Sequence, residues 1–137
     1  MAATIYDFDV AMRQRVEPKR GTLGMVARHK LLYAVHRLAI SRTGKPVFSS
    51  RCEAWPMGPV FPEFYHKPNV PGSADSLTAE QVGFCDLVAR VLGACSGRSL
   101  AARSHWRYPE WFEAKKRRNN KEITVDAIKQ QLAAIRK

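Results

Sequence analysis

The chain has 137 residues, of which 45% are hydrophobic and 26% are charged, a size and composition that argue against wholesale disorder and fit one domain with its own core. Its formal net charge of +11 divides into +7 over residues 1–51, −3 over residues 52–97 and +7 over residues 98–137. Basic ends of this strength favour acidic or polyanionic partners. We therefore predict a single domain over residues 1–137 that binds a partner of this kind.

The three cysteines, Cys52, Cys85 and Cys95, include no CxxC pair, and their odd number is not that of a disulfide framework. Cys85 and Cys95 fall on one predicted helix, where a rise of about 1.5 Å per residue separates them by roughly 15 Å, too far for a disulfide. The first ten residues lack the basic and apolar regions of a signal peptide, and no stretch approaches the length of an apolar membrane span. We predict a cytoplasmic location and no association with a membrane.

The first predicted element is a short helix that begins near Asp9, which would cap it, and ends near Arg15. The Glu17-Pro18 pair predicts that the helix does not continue beyond this point, because proline disfavours a helical conformation in the residue before it.

The second predicted helix runs from about Leu23 to Ser41, with Thr22 as its cap and Thr43-Gly44 after its end. Apolar residues occupy most of its circumference, and Lys30, Arg37 and Ser41 form a single polar stripe. Such a helix packs against several neighbours, so we expect it at the centre of the fold.

A proline- and aromatic-rich segment, EAWPMGPVFPEFY, occupies residues 53–65. Its three prolines argue against a regular helix or a central strand, and its aromatic surface is stabilising only when buried. We interpret it as a structural plug on the core, for which Trp55→Ala should cost roughly 3–5 kcal/mol. The alternative is a knob that binds a partner. Residues 45–48 and 51–55, the second of which overlaps the start of this segment, are predicted to pair as a small hairpin.

The next helix has a strong start signal, because Thr78 and Gln81 form a capping box. It is predicted to continue to Cys95, with Val91 among its apolar residues. Short helices are predicted from Ser99 and from Pro109 to about Arg118, and a last helix from Thr124. The fold class is therefore mainly α, a compact domain of about five to six helices around a central apolar helix, with a short β-hairpin.

Four sets of residues invite chemical interpretations. His29 and His36 would form a polar site in the bundle, although histidines among apolar neighbours are more often core residues. Glu63-x-x-His66 is half of a di-iron pattern, and that chemistry requires two copies. Adjacent helical residues such as Ser104-His105 point about 100° apart, which disfavours a nucleophile-base pair. A Cys52 nucleophile paired with a histidine remains open. We predict no metal, no cofactor and no enzymatic activity.

An ordered series of short motifs resembles the Panacea antitoxin domain family, which includes SocA-like antitoxins and many phage-associated proteins. The series begins with KLLY at residues 30–33, GKPVF at 44–48 and EAW at 53–55, and continues with GPV at 58–60, the Ser104-His105 pair and the final-helix opening at 123–124. Relatives tend to read KLQKLLY, where this chain has Ala27 and Arg28. The residues that carry the resemblance are Lys30, Leu31, Tyr33, Pro46, Glu53, Trp55, Gly58, Pro59, Pro62, Tyr65, His105 and Trp111.

The resemblance implies a mostly helical protein that neutralises a co-encoded toxin by direct binding, with delivery of the toxin to a protease as an alternative. It implies no catalytic residues. Because the chain is basic, we expect an acidic toxin, held by an aromatic anchor beside a basic run. The candidate contacts are Trp106, Tyr108, Lys115, Lys116, Arg117 and Arg118. The run at residues 115–118 is expected to join either Lys121, Arg136 and Lys137 or Arg13, Arg15, Lys19 and Arg20 in one patch that binds an acidic protein or a phosphate backbone. The alternative function is nucleic-acid binding by a protein of phage or mobile-element origin.

Overall fold

A computed structural model describes residues 2–100 and 107–135. The helices are α1 (Ile5–Arg20), α2 (Met25–Thr43), α3 (Pro62–His66), α4 (Ala79–Leu92), α5 (Pro109–Lys115) and α6 (Val125–Ile135). Two strands, β1 (Glu53–Trp55) and β2 (Gly58–Val60), form an antiparallel hairpin, and residues 74–76 form a 3-10 turn. Residues 97–100 are also helical. The predicted mainly α class with a short hairpin is confirmed.

Helix α2 lies at the centre of the fold, as its apolar circumference predicted. It packs against α1, α4, β2 and α6. Leu31, Leu32, Tyr33 and Val35 are all fully buried along it. The predicted polar stripe is wrong, because Lys30 is only 3% exposed. The helix begins at Met25 rather than near Leu23, and Gly44 ends it in the left-handed conformation, with φ of 77°.

The predicted limits of α1 are wrong at both ends. The helix begins at Ile5 and continues through Pro18 to Arg20. Asp9 is buried inside it, and the backbone N–H of Thr4 donates instead to the Asp7 carboxylate at 2.8 Å. Pro18 removes one helical hydrogen bond, since it has no N–H to donate, and the helix nevertheless continues until the Gly21 N–H donates to the Glu17 carbonyl at 2.8 Å.

The predicted hairpin has the wrong partner strand. Trp55 pairs with Gly58 and Glu53 pairs with Val60, so both strands lie inside the proline-rich segment. Gly58 has φ of 116°, a backbone conformation that favours glycine. Residues 121–123 extend the pairing, since the Ala54 N–H donates to the Lys121 carbonyl and the Ile123 N–H to the Cys52 carbonyl, both at 2.8 Å.

The Thr78 capping box of α4 is confirmed, with the Gln81 N–H donating to Thr78 Oγ1 at 3.2 Å and the Thr78 N–H to Gln81 Oε1 at 2.9 Å. The helix ends at Leu92 instead of Cys95, and Val91 is 62% exposed rather than part of the core. The Arg20 guanidinium donates to the carbonyls of Gly93 and Cys95, which hold the chain in a turn.

The two C-terminal helices also differ from their predicted limits. Helix α5 ends at Lys115 rather than Arg118, and the Arg117 guanidinium turns back to the Glu122 carbonyl at 2.9 Å. Helix α6 begins at Val125 rather than at Thr124. Thr124 stands just before the helix, and its side-chain Oγ1 accepts a hydrogen bond from the Ala127 N–H at 3.0 Å. Helix limits are the least certain part of a prediction from sequence.

Gly72 permits a close approach between the loop before α4 and the start of α1. A Cβ at this position would lie 2.5 Å from both the carbonyl carbon and the oxygen of Tyr6. We expect Gly72→Ala to lower the free energy of unfolding by about 1–3 kcal/mol, because backbone must move. The matched control is Gly83→Ala inside α4, where no atom lies within 4 Å and a gain of about 0.5–1 kcal/mol is expected. Urea unfolding of both variants checks this, and equal effects would contradict it.

Candidate partner-binding surface

A buried lysine joins α2 to the hairpin. Lys30 Nζ donates to the Pro59 carbonyl, and burial lowers the pKa of the ammonium to about 8. Leu31 next to it is fully buried, and so are Gly58 and Pro59 in β2. These four residues are therefore part of the internal scaffold and are not available for surface contacts.

A second buried link joins α2 to α5 through Glu110, whose side chain is fully buried. The Tyr33 hydroxyl donates to Glu110 Oε2 at 2.5 Å. Arg37 binds both carboxylate oxygens, Nε to Oε2 at 2.7 Å and Nη2 to Oε1 at 3.2 Å. Burial raises the pKa of Tyr33 well above its usual value, so its hydroxyl remains a donor.

Sequence reasoning missed Glu110. The available signal was its place in the first turn of a helix that begins at Pro109, next to Trp111 and one turn before Ala114, both of which are buried. A carboxylate on the inward face of a helix needs a partner, and Arg37 on α2 provides it.

The hairpin and α5 are joined by two tryptophans. The indole Nε1 of Trp111 donates to the Trp55 carbonyl at 2.9 Å, and that of Trp55 donates to Glu53 Oε1 at 3.0 Å. Trp111 is buried, whereas Trp55 is only partly buried. The resemblance residues Glu53, Trp55 and Trp111 thus hold α5 against the hairpin.

Two phenylalanines, rather than Trp55, fill the core from the proline-rich segment. Phe61 and Phe64 are fully buried, while Tyr65 is 46% exposed. The Trp55 and Tyr65 rings meet edge to face at the surface, with centroids 5.0 Å apart. Among the other resemblance residues, Pro46 is exposed and Pro62 is partly buried at the start of α3.

His29 and His36 are core residues, each only 2–3% exposed. The His29 ring contacts two carbonyls, Nδ1 at 3.1 Å from Met25 and Nε2 at 3.3 Å from Phe61. His36 stacks on Phe48 with centroids 5.3 Å apart. Burial lowers the pKa of both rings, that of His36 to about 4. Both therefore remain neutral near pH 7.

The buried His36 makes stability depend on pH. Its pKa falls from the usual 6.5 to about 4 in the fold, so the unfolded chain binds more protons between these values and stability is lost as pH falls from about 6.5 towards 4. We expect the His36 contribution to fall by about 2 kcal/mol between pH 7 and pH 5. His36→Leu should remove this part of the slope, measured by urea unfolding at both pH values. An unchanged slope in the variant would refute it.

Cys52 does not have the environment of a nucleophile. The side chain is buried, and burial raises the pKa of its thiol well above the usual value. The thiol therefore stays protonated at neutral pH, whereas a reactive cysteine needs a lowered pKa. All three cysteines are free. The described parts of the chain contain no group of three or more His, Cys, Asp or Glu side chains placed to hold a metal ion.

Of the predicted aromatic anchors, Tyr108 is partly buried against α2. Tyr108 packs edge to face on Tyr33, with ring centroids 4.9 Å apart, and Arg37 lies over its ring at 5.0 Å. Trp106 and the Ser104-His105 pair lie outside the described residues. The exposed aromatic is Phe112, which is 48% exposed. Trp111 and Phe112 are adjacent on the helix and point about 100° apart, and Trp111 is buried while Phe112 faces outward.

A basic run follows Phe112 in the sequence, at residues 115–118. Lys116 Nζ lies 4.5 Å from the centroid of the Phe112 ring and 3.6 Å from Glu113 Oε1. Arg117 is bound to backbone carbonyls, as described above. Arg118 is exposed, and among the described residues it has no ion-pair partner. We define the α5 surface as Phe112, Lys115, Lys116, Arg117 and Arg118.

The comparison with family models gives a match to the antitoxin SocA-like, Panacea domain over residues 29–112. This match covers more than half of the chain and contains the buried links of Lys30 and Glu110. The chain belongs to this family. No curated protein and no solved structure matches it. The matched residues end at Phe112. They therefore include the first residue of the α5 surface and leave out the basic run that follows it.

Arg28 has an ion-pair partner that explains its presence on α2. Its Nη2 lies 2.7 Å from Asp9 Oδ2 and its Nε lies 3.0 Å from Oδ1. Arg13 binds the same carboxylate at 2.9 Å, so the charge of the buried Asp9 is compensated from two helices.

Among the described residues, no helix is both long and apolar enough to cross a membrane.

Proposed function

We propose that this protein is an antitoxin that neutralises a co-encoded toxin by binding it directly, through the α5 surface. Membership of the antitoxin family supports the general role. The observation that carries the choice of surface is Phe112, a large apolar side chain that is 48% exposed, with the Lys116 ammonium 4.5 Å from its ring centroid. An aromatic anchor within a charged rim is the arrangement that dominates the energy of many protein interfaces.

Hydrogen bonds on the buried side of α5 fix the helix that carries the α5 surface. Glu110 is bound by Tyr33 and Arg37, and Trp111 is bound to the hairpin. Because neither the helix nor its register must be ordered on binding, less conformational entropy is lost when a partner docks. The basic run implies an acidic toxin surface opposite it, and charge complementarity of this kind raises association rates and selects the partner.

Occlusion and delivery to a protease are two outcomes of the same binding step. Simple occlusion leaves the amount of toxin unchanged, whereas an adaptor lowers it in cells that contain the protease. Immunoblotting of the toxin with and without this protein distinguishes the two. We favour occlusion, since it requires only the one surface on which the proposal rests.

The α5 surface can be tested by combining Phe112→Ala with Lys116→Glu. We expect this variant to bind the toxin at least about 100-fold more weakly, as expected for the loss of an anchor and a reversed rim charge. Isothermal titration calorimetry with the purified toxin measures it. The matched control is Val91→Ala with Lys67→Glu, which also removes an exposed apolar side chain and reverses an exposed charge. Equal affinities of the two variants would contradict the proposed surface.

Nucleic-acid binding, the alternative suggested by the net charge of +11, predicts a different salt dependence. Binding that depends on phosphate contacts falls about 10³–10⁵-fold between 50 and 200 mM salt. The affinity for a toxin bound around Phe112 should fall much less over the same range of salt concentration. A mobility-shift series with arbitrary duplex DNA over this range measures the difference, and tight, steeply salt-dependent binding to DNA without toxin binding would replace the antitoxin proposal.

A further inference from the structure

A cationic cleft lies between the C-terminal ends of α1 and α4, far along the chain from the α5 surface. Its volume is about 500 Å³. Four basic side chains, Arg15, Lys19, Arg20 and Arg90, line it together with the acidic Asp86. The buried Val16 and the half-buried Ala89 contribute apolar surface to the same cleft.

Two of the four cations have structural roles that account for them. Arg15 Nε lies 2.6 Å from Asp86 Oδ1, and its Nη1 donates to the Ala11 carbonyl at 2.9 Å. Arg20 donates to the carbonyls of Gly93 and Cys95 at the end of α4. Both guanidinium groups are thereby fixed in position, since each is bound to a helix end or to a partner across the cleft.

The other two cations are not accounted for in this way. Lys19 and Arg90 are exposed, and neither has a hydrogen-bond or ion-pair partner in the part of the chain that the structure describes. The helix dipole favours cations at a helix C-terminus. At the end of α4, however, Arg20 already binds the Gly93 and Cys95 carbonyls. Within the described residues Asp86 offsets the charge of one of the four cations, Arg15, so the cleft has an excess of positive charge that includes Lys19 and Arg90.

We infer that this cleft binds an acidic segment of a protein partner, with carboxylates at Lys19 and Arg90 and an apolar side chain against Val16 and Ala89. The charge excess selects carboxylates, which pair well with guanidinium groups. The confined volume and apolar wall suit a few side chains rather than a nucleic-acid backbone, for which cations follow an extended groove. The cleft shares no residue with the α5 surface, so the inference does not depend on the proposed toxin site.

The test uses the whole protein and a fluorescein-labelled peptide of sequence EELEEL, with QQLQQL as the neutral probe. Fluorescence anisotropy should show binding of the acidic peptide alone. Lys19→Glu with Arg90→Glu should weaken it at least about tenfold, since two rim charges that face the carboxylates are reversed. The matched control, Lys45→Glu with Lys67→Glu, makes the same change in net charge at exposed positions outside the cleft and should weaken binding less than about threefold.

Three results would overturn the inference. The first is equal weakening by both double variants, which would mean that net charge alone attracts the peptide. The second is equal binding of both peptides, or binding of neither. The third is an oligothymidylate that displaces the acidic peptide and is itself lost on charge reversal at Lys19 and Arg90, which would assign the cleft to nucleic acid. Both variants replace exposed side chains for which the described residues provide no partner, and equal melting temperatures would show that the fold is retained.

Discussion

Replacing Phe61 by alanine is expected to lower the free energy of unfolding by about 3–5 kcal/mol, the range for a large aromatic side chain removed from a packed core. Phe61 is fully buried. Its ring lies within 5.3–5.6 Å, centroid to centroid, of Phe48 and His36, both in edge-to-face contact. Few neighbours could move to fill the cavity, because these rings are held by the central helix and by the loop after it. Urea unfolding at pH 7 measures the loss.

Trp55→Ala is the matched control for Phe61→Ala. Both replace an aromatic residue of the same proline-rich segment, but Trp55 is only partly buried and packs on the exposed Tyr65. We expect it to cost less than half as much as Phe61→Ala, in contrast to the 3–5 kcal/mol that the sequence suggested for Trp55. Equal losses for the two variants would show that Trp55, too, is part of the core.

Replacing Glu110 by alanine is expected to cost about 3–5 kcal/mol, because it leaves partly buried Arg37 without its counter-charge and the buried Tyr33 hydroxyl without its acceptor. The charge of Arg37 does not disappear at accessible pH, so the cost cannot be relieved by deprotonation. Thermal and urea unfolding of the variant measure it. Glu110→Gln should be intermediate, since an amide oxygen still accepts from Tyr33 but the ion pair is lost.

Glu113→Ala serves as the control for Glu110→Ala on the same helix. The Glu113 side chain is 60% exposed and lies 3.6 Å from Lys116, and exposed pairs of this kind contribute roughly 0–1 kcal/mol. If Glu110→Ala were no more destabilising than Glu113→Ala, the link between α2 and α5 would be energetically unimportant, and the rigidity assigned to the α5 surface would lose its basis.

The parts of the fold that sequence reasoning predicted are those controlled by local chemistry. The start of α4 follows from the Thr78 capping box, which involves only four consecutive residues. The central position of α2 follows from apolar residues on most of its circumference. The end of that helix follows from Gly44, since glycine readily adopts the left-handed conformation found there.

The parts that it did not predict depend on distant partners. The hairpin pairs Glu53 with Val60 across three-residue strands, which are too short to carry an alternating pattern. Lys30 appears as a surface residue on a helical wheel, yet it is buried in the protein, where its ammonium donates a hydrogen bond to the Pro59 carbonyl. For the α5 surface, the basic run was predicted, whereas the exposed aromatic is Phe112 because Tyr108 is occupied by Tyr33 and Arg37.

Co-expression with the adjacent open reading frame tests the proposed antitoxin function most directly. Growth is measured with the neighbouring gene induced alone, with this protein, and with the variant that combines Phe112→Ala and Lys116→Glu. We predict that the neighbour arrests growth alone, that this protein restores growth and co-purifies with the neighbour, and that the variant does neither. A neighbour that is harmless alone, with no partner co-purifying, would contradict the account.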